Sequence, residues 1–175
     1  MVVAVMASAL QYDTKPGLGP IQQPGVREAD PGRWTLIMIV HPDCPCTKAS
    51  LRNLAAILDA TRLPVRAEIV GAMPPGYEGP KKNLAMARGI VKSELVIMDA
   101  DRALQTYGAR TSGHLFVYDP DQDLVYSGGL TPARGAEDAM SSMRWFKALV
   151  HQGAIASSAP TFGCSLRSAT GEREG

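Results

Sequence analysis

The chain has 175 residues, 45% apolar and 20% charged, with 18 Lys and Arg against 17 Asp and Glu. That composition suits one globular domain with extensions and a real hydrophobic core. Lys and Arg are scattered, so no basic stripe exists for a nucleic acid, and an acidic or disordered interaction protein is equally unsupported.

Residues 1–10 are a short apolar start, Met1 to Leu10. The run is too short to span a bilayer. It reads as the apolar part of an export signal or anchor, with Ala7-Ser8-Ala9 as a cleavage-like site, or as a short strand or frayed end. The basic residues that open such a signal are missing, which a start inside a longer anchor would explain. Residues 11–33 hold Pro16, Pro20, Pro24 and Pro31 among Gly17, Gly19, Gly25 and Gly32, the pattern of an extended linker.

A domain over residues 34–152 follows. Trp34 to Val40 is a continuous apolar run, the mark of a strand buried on both faces. A helix is predicted from about Cys46 to Ala60. Leu51, Leu54, Ala55 and Leu58 recur at helical spacing, and Arg52, Asn53 and Asp59 fall outside the stripe. Asp43 or Thr47 is placed to cap it. A second strand is expected at Val65–Val70, then a Pro/Gly-dense loop over 71–80 and a short helix at Lys81–Arg88. A third strand at Glu94–Met98 leads into a short helix at Ala100–Tyr107. Leu115–Tyr118 and Leu124–Ser127 make an antiparallel hairpin around Asp119-Pro-Asp-Gln-Asp123. The last helix is Ala136–Val150. Residues 153–175 are a Ser/Ala/Gly-rich tail with one unusual island, Thr161-Phe-Gly-Cys-Ser-Leu166. Parallel units in front and a hairpin behind predict an α/β protein, a mixed sheet with helices on both faces.

The chemistry-bearing residues gather at the first strand-to-helix junction, His41-Pro-Asp-Cys-Pro-Cys-Thr-Lys48. Thiols at a helix N-terminus sit among backbone N–H groups and the positive end of the dipole, which favour the thiolate. A thiolate attacks disulfides and binds metals. Cys44 is expected to be the more exposed and Cys46 to start the helix, with Pro45 restricting the loop. A bond between the two would close a small, strained and oxidising ring. The competing reading is a pair of inert core cysteines. Cys164 makes the count three, which fits a redox pair with a third thiol or three metal ligands. Phe162 and Leu166 are placed to anchor the tail and carry Cys164 to the pair; otherwise it is a free thiol at a terminus. Cys44, Cys46, Cys164 and His41 together form a soft donor set suited to Cu(I) or Zn(II).

His41 is a metal ligand, a cation that lowers a cysteine pKa, or a strand-end histidine bonded to backbone. Lys48 reads as solvated, and His114 is open as to which face it takes. His151 suits the C-terminal end of the last helix. Ser127-Gly128-Gly129 lacks the downstream residues of a phosphate loop and reads as a turn. Trp34, Trp145 and Phe146 read as core or boundary aromatics.

This order of elements, with thiols at the first junction, resembles the thioredoxin fold, and Gly108 to Tyr118 resembles the segment that there carries a cis-proline and enters the hairpin. Within that superfamily the chain is similar to the RedB-like group of bacterial proteins. The carrying residues are His41 to Leu51, Thr111-Ser112-Gly113, Tyr118-Asp119, Ser127 to Thr131 with Arg134-Gly135, and Phe162-Gly163-Cys164. The resemblance implies a thiol–disulfide oxidoreductase with Cys44, Cys46 and Cys164 as redox thiols and His41, Pro45 and Gly113 in support. It implies a protein thiol or disulfide as partner, no cofactor and no nucleic acid. The metal reading would instead require Cu or Zn. It also implies an N-terminal membrane tether and a periplasm-facing place in the bacterial cell envelope; without an export signal the protein would be cytoplasmic. Two departures stand out. Only Pro45 separates the cysteines, and Gly113 occupies the cis-proline position. A cis bond before a non-proline residue costs about 2.5–4 kcal/mol, so a trans peptide is expected, with open space beside the thiols.

Overall fold

The computed structural model describes residues 15–20, 31–152 and 157–168. Its centre is β1 (Trp34–Val40), every residue of which is buried. Side chains alternate across a strand, so Leu36, Met38 and Val40 enter one apolar cluster and Ile37 and Ile39 the other. This is why the run is apolar apart from Thr35. The remaining strands are β2 (Val65–Met73), β3 (Ser93–Asp99), β4 (His114–Tyr118), β5 (Leu124–Gly129) and the two-residue β6 (Ser157–Ser158). They form one sheet in the order β3-β2-β1-β4-β5-β6. β1 pairs parallel with β2 and antiparallel with β4; β4 and β5 make the expected hairpin.

Helices α1 (Thr47–Ala60), α2 (Lys82–Arg88) and α4 (Ala139–Gln152) cover the first face through Leu51, Leu54, Ile57, Leu84 and Phe146. The second face is covered by the short α3 (Ala100–Tyr107), whose Ala100, Ala103 and Tyr107 pack on Ile37, Ile39 and Phe116. Eight residues of helix leave part of that face bare, and Leu166 of the tail joins the cluster there. The tail therefore packs as part of the domain.

Several local expectations give way to tertiary contacts. β2 runs on to Met73, because pairing with β3 continues to Met73 and Asp99. Asn53, outside the apolar stripe of α1, is buried all the same. Its amide donates to the Leu130 carbonyl at 3.0 Å and its oxygen accepts the Asp138 N–H at 3.2 Å. The last helix starts at Ala139, not Ala136, with the Asp138 carboxylate accepting the Ser141 N–H at 2.9 Å. No side chain caps α1. Thr47 bonds instead to the Ser112 hydroxyl, and Asp43 pairs with Lys82 at 3.5 Å. Ser127-Gly128-Gly129 is not a turn but the end of β5. The apolar start and most of the linker lie outside the described residues. Within the linker, residues 15–20 cross the domain, with Gly17 N–H donating to the Thr161 carbonyl at 2.7 Å. No helix among the described residues is long and apolar enough to cross a membrane.

Candidate active site: three sulfurs beneath the tail

The loop between β1 and α1 turns so that Pro45 faces solvent and both flanking cysteines point inward. Asn83 holds this loop. Its side-chain amide donates to the His41 carbonyl at 3.0 Å and to the Cys44 carbonyl at 2.9 Å, and its backbone N–H donates to the Pro42 carbonyl at 2.9 Å. Ser112, which directly precedes Gly113, holds the loop from the other side, its hydroxyl accepting the His41 N–H at 2.7 Å. Buried polar groups need such partners, so Asn83 and Ser112 fix where the cysteines stand.

Cys44, Cys46 and Cys164 form a cluster of their own, exposed by 0%, 5% and 3%. The Cys44 and Cys164 sulfurs are 2.7 Å apart, and the Cys164 N–H points at Cys44 Sγ from 3.3 Å. The expectation that Cys44 is the more exposed thiol is wrong. The tail lies over it, and of the three sulfur-bearing residues it is the most deeply covered.

The tail reaches the site along a glycine-smoothed path. It pairs with β5 through Ser157 and Ser158, then runs over Gly128 and Gly129, where a Cβ on either would overlap the backbone of Ala159 or Pro160. Beyond this, Cys164 and Leu166 lie antiparallel to Arg110–Ser112. Ser112 N–H donates to the Cys164 carbonyl at 2.9 Å, Leu166 N–H to the Arg110 carbonyl at 3.0 Å, and Thr111 bridges Ser165. Arg134 donates to the Gly163 carbonyl at 2.7 Å.

The protons are unevenly shared. Hydrogen bonds from Cys164, then from Cys46, pull the Cys44 pKa far below the ordinary thiol value and outweigh its burial; the Thr47 hydroxyl and the Cys164 N–H act in the same direction. Cys164 is pushed up because it gives its proton toward Cys44 and Cys46 and is itself buried. For Cys46 the bond with Cys164 lowers the pKa, but the bond with Cys44, burial and the neighbouring Cys44 charge outweigh it and push it up, against a further lowering by Arg134. The directions of the shifts, with the Cys164 N–H on its sulfur, favour the charge on Cys44.

His41 does not face the sulfurs as a free ligand. Its Nδ1 accepts the Asp43 N–H at 3.2 Å, which makes Nε2 the protonated nitrogen that donates to the Ser168 carbonyl at 2.9 Å. It ties the loop to the end of the tail. Gly113 has φ +87° in a described chain without cis peptide bonds, and the space beside it is not open: a Cβ there would meet Ser50 Oγ at 2.9 Å. Lys48 is exposed, and His151 lies in the last turn of α4.

The sulfurs as arranged do not fit a metal ion. Two thiolates at about 2.3 Å from one tetrahedral ion sit roughly 3.8 Å apart, more than 1 Å beyond the separation of Cys44 and Cys164. Among the described residues no group of three or more His, Cys, Asp or Glu is arranged to hold a metal.

His114 anchors the tail further back, its Nδ1 against the Thr161 hydroxyl at 2.8 Å and its Nε2 against the Ser127 hydroxyl at 2.9 Å. Burial pulls its pKa down from 6.5 to about 4. The unfolded chain therefore takes up this proton first as pH falls. The contribution is complete above about pH 6.5 and is lost on the way down to about pH 4, by up to roughly 3 kcal/mol. Urea unfolding at several pH values checks this. His114→Gln should flatten the slope in that window, and an unchanged slope would contradict the assignment.

No protein-family model and no curated protein sequence matches the chain. Solved structures do. An uncharacterized conserved protein from Geobacillus kaustophilus superposes with a TM-score of 0.61 at 18% identity, covering 89% of this chain and 93% of its own. A hypothetical protein from Sinorhizobium meliloti 1021 gives 0.61 at 16%, covering 89% and 96%. A candidate thioredoxin from Neisseria meningitidis gives 0.50 at 12%, covering 73% and 80%. The fold is thioredoxin-like. At these identities the likeness speaks for the fold alone.

The sequence offered no direct signal for Asn83, Ser112 or Arg134 as site residues. Ser112 and Arg134 lay within the motifs that carry the RedB-like resemblance, but Asn83 lay outside them. A polar residue at the start of a short helix gives no hint that it reaches back about forty positions to a cysteine carbonyl.

Proposed function

We propose that the protein is a thiol–disulfide oxidoreductase of the RedB-like kind that reduces disulfides of protein partners in the bacterial cell envelope. The observation that carries this reading is the Cys44–Cys164 contact, 2.7 Å between sulfurs with the backbone N–H of Cys164 on Cys44 Sγ. Supporting it, the motif residues of the RedB-like resemblance converge on this point. Ser112 grips loop and tail, Arg134 grips Gly163, and Gly128 and Gly129 lie under the tail.

The Cys44 thiolate attacks one sulfur of the partner disulfide. A Cys44–partner bond forms, the partner S–S bond breaks, and the first partner thiolate leaves and takes a proton from solvent. Cys164 then attacks Cys44 Sγ. The proton it had held against Cys44 passes to the second departing thiolate, and a Cys44–Cys164 disulfide remains. Two electrons move from the protein's dithiol to the partner. No cofactor enters.

Cys164→Ser tests the roles. The reduced variant, mixed with a disulfide-containing peptide, should accumulate a mixed disulfide at Cys44 that wild type clears, visible by mass spectrometry. Absence of any adduct at Cys44 in both proteins would remove the reading.

A further inference from the structure

A partner disulfide cannot touch Cys44 in this structure, because the tail lies on it. What the tail occupies is a backbone edge. With the tail absent, the Ser112 N–H and the Arg110 carbonyl would stand unpaired beside a thiolate, the arrangement to which an extended peptide adds as a strand. The tail satisfies both groups, and Cys164, whose carbonyl takes the Ser112 N–H, presents its sulfur to Cys44.

We propose that Thr161–Leu166 is a built-in occupant of the partner site, and that a partner reaches Cys44 by displacing it with an extended, cysteine-bearing strand of similar chemistry. This rests on the oxidoreductase reading above and specifies the partner. The residue before the partner's cysteine is glycine, because a Cβ at position 163 would overlap the Ser112 carbonyl. The residue two beyond the cysteine is aliphatic, because Leu166 is buried in the cluster with Ile37 and Phe116. The residue two before it is apolar, since Phe162 is buried as well.

The occupant is removable. It is held by hydrogen bonds with Gly17, Arg110, Ser112, His114 and Arg134, by the Cys164 N–H on Cys44 and by two apolar side chains, with no disulfide among the described residues. On its outer flank a cavity of ≈ 240 Å³ opens beside Ser165, Leu166 and Arg167, between the tail, Leu18, Leu104 and Ala109. The same segment thus serves as cover before the encounter and as resolving arm after it.

Gly163→Ala tests this without altering a cysteine or a core side chain. Iodoacetamide labelling of Cys44, followed by peptide mass spectrometry at about pH 9 so that thiolate content limits neither protein, should be slow in wild type. In Gly163→Ala it should be faster by on the order of tenfold, the population change that about 1.4 kcal/mol of lost docking produces. A synthetic peptide of residues 161–166 carrying serine for the cysteine should restore protection. The same peptide with valine for its glycine should not. Equal labelling of Cys44 in folded wild type and variant, or protection indifferent to that valine, overturns the proposal. If Gly163→Ala does not fold by near-ultraviolet circular dichroism, Arg134→Gln, which removes one bond to the tail, carries the comparison, and equal labelling there overturns it too. Faster labelling of a Cys44 that still cannot reduce oxidised glutathione would uphold the cover and remove the oxidoreductase reading.

Discussion

Cys44→Ser is expected to lower the rate of disulfide reduction by on the order of 10³-fold or more, whereas Cys46→Ser should retain measurable exchange. The difference follows from where the charge lies. Cys44 takes the Cys164 backbone N–H and lies against the Cys164 and Cys46 thiols, contacts that lower its pKa and favour its ionised form. A serine hydroxyl in the same place stays protonated and is a poor nucleophile. Cys46 is a donor in this cluster with a raised pKa, and the Cys44–Cys164 contact does not run through it. Stopped-flow reduction of a chromogenic disulfide by the reduced proteins measures both variants. Equal losses would mean that the adjacent pair, not the distant one, is the working couple.

Asn83→Ala is expected to cost about 2–4 kcal/mol of stability and to slow exchange as well. The His41 carbonyl would be left without a donor, at roughly 1–3 kcal/mol, and the Cys44 carbonyl would keep only the Thr47 N–H, losing a hydrogen bond worth about 0.5–1.5 kcal/mol. Asn83→Asp is nearly the same shape but offers acceptors where donors are needed, so at neutral pH it should be at least as damaging. Urea denaturation gives the stabilities. An alanine variant within about 0.5 kcal/mol of wild type, the range of an ordinary surface change, would show that Asn83 does not hold the loop.

The parts that were legible in the sequence are those that local pattern controls. A seven-residue run that is apolar but for Thr35 suits a strand with both faces covered, and β1 is one. Thiols between that run and an amphipathic stripe can only stand at a strand-to-helix junction. Phe162 and Leu166, two apolar residues flanking a cysteine in a polar tail, pointed to docking, and both are buried. The rest depended on residues far apart. Whether Cys44 is exposed was decided by a segment 120 positions away, and the role of His41 by the carbonyl of Ser168, 127 positions away. Gly128-Gly129 looked like a turn because glycine pairs usually are turns. Here they end a strand and leave room for another chain segment to cross at backbone distance. Gly113 looked like open space, yet Ser50 fills it. No periodicity encodes such contacts.

The most direct measurement is a disulfide map. The reduced protein is treated with one equivalent of a small disulfide at neutral pH, remaining thiols are alkylated, and the linked peptides are identified by mass spectrometry. The expected product joins residues 44 and 164 and leaves Cys46 alkylated. A bond within Cys44-Pro45-Cys46 with Cys164 free, or three alkylated cysteines and unreacted oxidant, would contradict the account.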